Sequence, residues 1–236
     1  MGSGKAKKQD THGYVVNSLG ARIASGEISE STVLTLSGLE EEYEVSHTVI
    51  REAVRVLESH GMLVSRRRVG VTVQPISNWD VLDESVIQWR LAGPQREQQL
   101  VELMELRSAI EPTAARFAAE RASYDQRGRL KKLAATLETL GHQEKGNSDE
   151  FLEADIAFHT VLIEASCSPL LVRLVGPITE VIRGRSIHHM LSGVPEPGTL
   201  EGHLAVASAV DAGDGDWAAS ASALLVQIIS SEIRHR

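Results

Sequence analysis

Apolar residues recur at helical spacing in the first part of the chain. From Tyr14 onward they fall three or four residues apart and stop near Gly26, which is typical of a helix that ends at a glycine. The pattern predicts a second, acidic helix over 36–43 and a third over 46–60, with Ser46 as its N-cap. The apolar stripe of this third helix is formed by Val49, Ala53, Val56 and Leu57.

The apolar period changes after the third helix. Residues 62–73 alternate between apolar and polar positions around a basic centre, which predicts a two-stranded hairpin with a basic tip. The tip contains Arg66, Arg67, Arg68 and Gly70. Three helices and a basic hairpin are typical of a winged helix-turn-helix, whose third helix enters the major groove of DNA. We therefore predict a DNA-binding domain over 11–76 behind a flexible tail over 1–10; the alternative is a small helical lobe whose arginines are only solvated.

The rest of the chain shows no strand pattern. Helices are predicted over 97–122, 126–142, 148–167, 169–190, 199–213 and 216–234, separated by breaks rich in proline and glycine. Such helices form an antiparallel helical bundle, which we place at 97–236. The intervening residues 77–96 are predicted to be a linker, in which Trp79 and Trp89 join the two domains through buried apolar area. The predicted fold class is mainly α.

Charge is divided unequally between the two predicted domains. The net charge of the chain is -8. Residues 1–76 contain nine basic and nine acidic residues, so the whole net negative charge lies in residues 77–236. Within 47–76, five arginines outweigh two glutamates. A local basic patch of this kind is what binding to DNA phosphates requires.

Several features predict a cytoplasmic protein with no membrane partner. No run of about 18 apolar residues is present, and the first ten residues lack the apolar stretch of a secretory signal. The single Cys167 has no disulfide partner, which agrees with a reducing compartment. We expect Cys167 to pack as a small buried hydrophobe.

Four polar side chains fall on helix faces that the apolar pattern predicts to be buried. Asp155 and His159 lie four residues apart in one predicted helix, and His203 has the same inward phase in another. Such a set suits zinc or a similar divalent ion; the alternatives are hydrogen bonds to a ligand or within the set. Arg107 also faces inward and requires an anion, either Glu111 or a ligand carboxylate.

Two parts of the sequence resemble the GntR family of bacterial transcription regulators. The run from Tyr43 to Glu58, Gly61-Met62-Leu63 and Gly70–Val73 resemble its winged helix. The C-terminal part is similar to the FCD effector domain of the family's FadR branch through Leu106–Glu111, Asp155–His159, and His203 ahead of Ala209–Asp214. The segment 79–89 is similar to the corresponding segment in regulators of gluconate or galactonate use.

The resemblance implies roles for particular residues. In the winged helix, the positions implied to contact DNA are His47, Thr48, Arg51, Arg55 and Gly70. His47 stands where the family usually has an arginine, so one bidentate donor is lost. In the FCD domain the resemblance implies a third metal-binding histidine on the last helix, and the matching position here is Gln227. Its carbonyl oxygen is a candidate ligand for the metal or the effector.

These features predict a homodimeric regulator, of the repressor type, that binds double-stranded operator DNA and responds to a small carboxylate such as a sugar acid or hydroxy acid. The alternative is a metal-dependent hydrolase or lyase on the bundle, but the sequence shows no nucleophile beside a base, and we predict no enzyme. A pure interaction module would not explain the inward polar residues. Because adjacent helical residues point about 100° apart, His188 and His189 are expected at the surface or a hinge.

Overall fold

The structure is a computed structural model that describes residues 11–187 and 192–234. The helices are α1 (Thr11–Ala24), α2 (Leu36–Tyr43), α3 (His47–Ser59), α4 (Glu84–Ala92), α5 (Arg96–Arg121), α6 (Tyr124–His142), α7 (Asp149–Ala165), α8 (Pro169–Val172), α9 (Val175–Ile187), α10 (Thr199–Ala212) and α11 (Gly215–Arg234). The strands are β1 (Val33–Leu34), β2 (Leu63–Arg66) and β3 (Gly70–Val73). The predicted fold class is confirmed. The predicted tail, His188 and His189 lie outside the described residues.

The chain divides into two compact units, with the boundary between Arg96 and Glu97. The first unit has a core formed mainly by α1, α3 and the sheet. The side chain of Thr35 caps α2 by accepting a hydrogen bond from the backbone of Gly38, and Glu44 ends this helix in the left-handed region. The face of α3 that packs inward is formed by Ile50, Ala53, Val54 and Leu57. The opposite face of α3 is therefore free to meet another molecule.

The wing has one strand more than the sequence predicts. The hairpin of β2 and β3 forms as expected, and β1 adds to it in the antiparallel order β1-β3-β2. Gly70 allows the close approach, because a Cβ there would lie 2.5 Å from the carbonyl oxygen of Leu34 and φ is +123°. A strand of two residues is too short to show an alternating pattern. The sequence therefore does not predict β1.

The predicted linker folds onto the first unit through α4. The ring of Trp89 covers α1 at Gly20, where a Cβ would lie 2.6 Å from the ring. Trp89 Nε1 also donates to Asn17 Oδ1 at 3.2 Å. Trp79 Nε1 donates to the backbone carbonyl of Gln74 at 2.9 Å. Both tryptophans are thus anchored in the first unit.

The second unit is a helical bundle with its main core between α5, α6, α7, α10 and α11. The start of α6 is fixed by a capping box, in which Ser123 and Gln126 bond to each other's backbone N–H. The single helix predicted over 169–190 is two helices, α8 and α9, as far as the described residues extend. No helix in the described ranges is long and apolar enough to cross a membrane.

Cys167 does not occupy the core position that we expect from the sequence. It is exposed and follows α7 in a turn, where its φ of 53° lies in the left-handed region. The helix that places its neighbours inside ends at Ala165, so the chain has already turned outward at the cysteine.

Candidate metal centre and DNA-binding surface

Five polar side chains from three helices meet inside the second unit. Arg107 and Glu111 lie on α5, Asp155 and His159 on α7, and His203 on α10. The two pairs on α5 and α7 are each four residues apart, which places both members on one helix face. All except Asp155 are at most 2% exposed. We call these five residues the polar cluster.

Asp155 lies between the two histidines. Its Oδ1 atom is 3.3 Å from His159 Nε2 and 3.1 Å from His203 Nε2. One ligand atom from each of the three residues lies within 4.8 Å of the others. The structure therefore brings together the three metal ligands predicted from the sequence, at a spacing that one divalent ion can bridge.

The second ring nitrogen of each histidine lies close to an oxygen atom of a neighbouring residue. His203 Nδ1 lies 2.8 Å from the carbonyl oxygen of Thr199, which can only accept, so this nitrogen donates. His159 Nδ1 lies 3.1 Å from Glu111 Oε2, which is within ion-pair distance but outside hydrogen-bond geometry. Metal-binding histidines commonly have this arrangement, because it turns the lone pair of Nε2 toward the ion.

The donor set fits a divalent cation on chemical grounds. With hydrogens on both Nδ1 atoms, two Nε2 lone pairs face the Asp155 carboxylate, and this arrangement requires positive charge between them. A proton on one nitrogen provides that charge, and so does a metal ion bound by all three residues. Two imidazole nitrogens and a carboxylate oxygen form a ligand set that suits zinc and related ions.

Arg107 is paired inside the polar cluster. Its Nε donates to Glu111 Oε1 at 2.6 Å, and its Nη2 lies 3.4 Å from Glu111 Oε2. The same Nη2 is 3.1 Å from His159 Nε2. The sequence allows two anionic partners for Arg107, which are Glu111 and a ligand carboxylate. In the structure Arg107 is paired with Glu111.

The polar cluster keeps its charges despite its burial. Burial favours a raised pKa for Asp155, but the polar contacts with His159 and His203 outweigh it and hold the pKa well below its usual value. Burial acts likewise on Glu111, but the charges of Arg107 and His159 lower its pKa to about 2. For His159 burial acts downward, and the Glu111 charge with the Asp155 hydrogen bond raises the pKa overall. Both carboxylates are thus ionised near neutral pH.

Gln227 is not brought to the polar cluster. Its side chain is exposed and lines a groove of about 540 Å³ between α5 and α11, together with Met104 and Ser108. The buried face of α11 includes Leu225, Val226 and Ile229, whereas Leu224 is 57% exposed. Apolar residues stand on both faces of this helix, so its phase cannot be read from the sequence.

Two contacts around the histidines do not follow from the apolar pattern. One is Glu111 with His159, and the other is Thr199 with His203. Thr199 precedes His203 by four residues, a spacing that could have identified it as a neighbour on the same face. The hydroxyl oxygen of Thr199 is buried and has no hydrogen-bond partner among the described residues. A buried hydroxyl of this kind is available to a ligand.

The predicted DNA-binding residues lie on the exposed surface of the first unit. Thr48, Arg51 and Arg55 lie on the outer face of α3. Arg66, Arg67 and Arg68 lie at the exposed end of the hairpin. We call these six residues the basic surface. Gly70 stands beside them, and its packing against β1 accounts for a glycine there.

Other polar contacts lie next to the basic surface. Arg55 Nη1 is 2.6 Å from Glu52 Oε1, and both side chains are at least half exposed. His47, at the start of α3, is 57% exposed, and its Nδ1 lies 2.5 Å from Glu40 Oε1 on α2. Since the carboxylate accepts, Nδ1 donates, and the Nε2 atom of His47 remains for another partner.

Two protein-family models match the chain. The model described as "Bacterial regulatory proteins, gntR family" matches residues 12–73, and the FCD domain model matches residues 102–227. The first covers α1 to α3 and the wing, and the second covers the whole polar cluster. The chain belongs to the GntR family.

Curated relatives agree with this family assignment. The chain is 30% identical over 212 residues to the HTH-type transcriptional regulator YieP of Escherichia coli strain K12, covering 89% of both chains. It is 31% identical over 224 residues to the galactonate operon transcriptional repressor of the same strain, covering 93% of this chain and 94% of the relative.

Solved GntR structures agree with the fold. A GntR protein from Streptococcus agalactiae is 22% identical and aligns with a TM-score of 0.52, covering 93% of this chain and 99% of the other. This GntR chain is therefore a transcription regulator with a DNA-binding domain and an FCD domain, as the sequence predicts. The prediction that it is no enzyme is confirmed by its family.

Proposed function

We propose that this regulator binds operator DNA as a homodimer and that a small carboxylate, bound with a divalent metal in the FCD domain, controls this binding. The observation that carries the proposal is the pair of histidine Nε2 atoms that converge on one Asp155 oxygen. Their Nδ1 atoms face Glu111 and Thr199, so both rings are oriented as metal ligands before any ion binds.

The DNA-binding part of the proposal rests on the basic surface. The outer face of α3 presents Thr48, Arg51 and Arg55 in a helix whose other face is buried. In a winged helix-turn-helix this is the face that enters the major groove, and the wing arginines lie where the DNA backbone passes. Arginine is the residue that most often reads guanine and contacts phosphate. His47 adds one donor or acceptor at the start of the helix through Nε2.

The metal part of the proposal involves Asp155, His159 and His203. These residues would hold the ion, which would supply positive charge for a ligand carboxylate. Glu111 and the Thr199 carbonyl orient the two imidazoles. Three protein ligands leave coordination positions for water or ligand oxygens.

Two further groups support a hydroxy acid as the effector. Arg107 supplies guanidinium donors beside the proposed metal, and the Thr199 hydroxyl has no protein partner in the described residues. A carboxylate suits the first group and a hydroxyl suits the second. One relative is named as a galactonate operon repressor, and galactonate is a hydroxy acid. Effector binding would change the spacing of the two winged helices of the dimer and thus their fit to the operator half-sites.

The test is a mobility-shift assay on DNA from the region upstream of the protein's own gene. The zinc-loaded protein is titrated with galactonate, gluconate and lactate, and one of these acids should weaken DNA binding. His159→Ala should bind DNA but lose the response, and its far-UV spectrum should show that it is folded.

The matched control is His142→Ala, which removes an exposed histidine of the same unit and should respond as the wild type does. Loss of DNA binding in folded His159→Ala would contradict a separate sensor site. Failure of the wild type to bind any upstream DNA at low salt would contradict the proposed operator binding.

A further inference from the structure

Arg107 and His159 make a contact that bears directly on metal binding. Arg107 Nη2 lies 3.1 Å from His159 Nε2, the nitrogen that the proposed metal site requires. A guanidinium has only donors, so in this contact the arginine donates and the imidazole accepts. In its neutral form, His159 therefore uses the single lone pair of Nε2 on Arg107, and its ring hydrogen sits on Nδ1, which lies 3.1 Å from Glu111 Oε2.

A metal ion at His159 requires this same lone pair. One sp² nitrogen cannot accept a hydrogen bond from Arg107 and coordinate a cation at the same time. Arg107 and a metal ion are also both positively charged. Because Arg107 is only 1% exposed, water screens their repulsion little. The contact that is seen here and metal binding are mutually exclusive.

We infer that Arg107 occupies the metal-binding nitrogen of His159 in the metal-free protein, and that metal binding displaces its Nη2 and frees that donor for a ligand carboxylate. This inference rests on the proposed function and adds an order of events to it. Arg107 acts as a positioning residue that lowers metal affinity in the absence of ligand and increases ligand affinity once the metal is bound.

The geometry around Glu111 explains how Arg107 can move without losing its partner. The short hydrogen bond joins Arg107 Nε to Glu111 Oε1 at 2.6 Å. The hydrogen bond from Nη2 to Oε2 is longer, at 3.4 Å, and therefore weaker. Rotation of the end of the side chain can release Nη2 and keep the Nε bond. The buried guanidinium then remains paired, as a buried charge requires.

The exchange predicts positive coupling between metal and carboxylate. A ligand carboxylate that accepts a hydrogen bond from the released Nη2 satisfies this donor. Arg107 then gains nothing by returning to His159. Ligand binding therefore tightens metal binding, and by thermodynamic reciprocity metal tightens ligand binding by the same factor.

The test compares zinc affinity in the wild type, Arg107→Gln and Arg107→Lys by competition with a chromophoric chelator, in the absence of carboxylates. Lysine keeps the positive charge and the pairing with Glu111, but its single ammonium cannot reproduce the fork that bonds Glu111 and His159 together. Both variants should bind zinc about tenfold more tightly, since each lacks a charged hydrogen bond to Nε2.

The matched control is Arg116→Gln, which removes a partly exposed arginine that pairs with Asp216 in the same unit and should not change zinc affinity. A crystal structure of the zinc-loaded wild type should show Arg107 Nη2 beyond hydrogen-bond distance of His159 Nε2. Should Arg107→Gln fail to fold, Arg107→Lys and this crystal structure still decide the question.

The outcomes separate this inference from the proposed function. Zinc binding by the wild type with no tighter binding by Arg107→Lys would overturn the exchange and leave the metal site intact. Zinc binding by Arg107→Lys but not by the wild type would support the exchange and contradict a metal-loaded regulator. Absence of zinc binding in all variants would overturn both.

Discussion

The polar cluster and the basic surface contain ion pairs of the same length in opposite surroundings. Arg107 and Glu111 are 2.6 Å apart with side chains at most 2% exposed, and Arg55 and Glu52 are 2.6 Å apart with both side chains at least half exposed. Water replaces the partner of an exposed charge at little cost, but it cannot reach a buried one. Distance alone therefore does not say what an ion pair contributes.

The same difference suits the two regions to different tasks. The arginines of the basic surface can exchange a glutamate or water for a DNA phosphate with a small change in free energy. Arg107 can leave one partner in the interior only when another charged group arrives. The FCD domain is thus suited to respond to a specific ligand, and the winged helix to respond to DNA in general and to its sequence in particular.

The largest expected effect comes from removing one member of the buried pair. Glu111→Ala leaves Arg107 without its carboxylate in the interior, and we expect a loss of about 3–5 kcal/mol in the free energy of unfolding. Urea denaturation measures this loss. The exposed counterpart Glu52→Ala should lose less than about 1 kcal/mol. Equal losses in the two variants would show that burial does not separate the pairs.

The pH dependence of stability should sharpen the same contrast. Glu111 has a pKa of about 2 in the folded chain, below its ordinary value of 4.5, so its ionised form stabilises the fold above 4.5 and this contribution is lost as the pH falls toward 2. The stability difference between the wild type and Glu111→Gln should narrow by about 2 kcal/mol between about pH 4.5 and about pH 3. A difference independent of pH would contradict an ionised Glu111.

On the basic surface, a substitution should affect binding and leave stability unchanged. Arg51→Ala removes an exposed donor of α3, and we expect operator affinity to fall by about 1–3 kcal/mol with no change in melting temperature. Fluorescence anisotropy on the operator and thermal melting measure the two quantities. Arg129→Ala removes an exposed arginine of α6 and is the control for net charge. A loss of affinity as large in Arg129→Ala would mean that α3 has no special role.

The smallest expected effect concerns His47. His47→Arg should tighten operator binding by less than about 1 kcal/mol, because arginine adds a bidentate donor while Glu40 still pairs with it. The plot of log affinity against log salt should steepen by about 1. His142→Arg adds the same charge elsewhere and should leave the slope as it is. Weaker binding by His47→Arg would indicate that this operator requires an imidazole.

The predictable parts of the fold are those with a clear period or strong local signals. α3 alternates buried and exposed positions at 3.6-residue spacing, although the buried face is centred on Ile50 and Val54 more than on the predicted Val49 and Val56. The hairpin of the wing follows from its own alternation. β1 was missed because its two residues gain their structure only from pairing with Thr72 and Val71.

The candidate site shows the same limit. Asp155, His159 and His203 could be predicted because each is a polar residue on an otherwise apolar face. The choice between partners for Arg107 could not, since Glu111 and a ligand carboxylate satisfy the same requirement. Gln227 was misplaced because α11 has apolar residues on both faces, and only packing against the rest of the bundle selects its phase.

The packing of Trp89 against Gly20 also determines where the protein can be cut. A fragment that ends at residue 76 would remove α4 and open an apolar surface on α1, whereas one that ends after Ala92 would keep the indole in place. Exposed patches of this kind promote association of separate molecules. Trp89 thus shields the apolar surface of α1 from solvent. An expressed fragment of the DNA-binding domain should therefore include this residue.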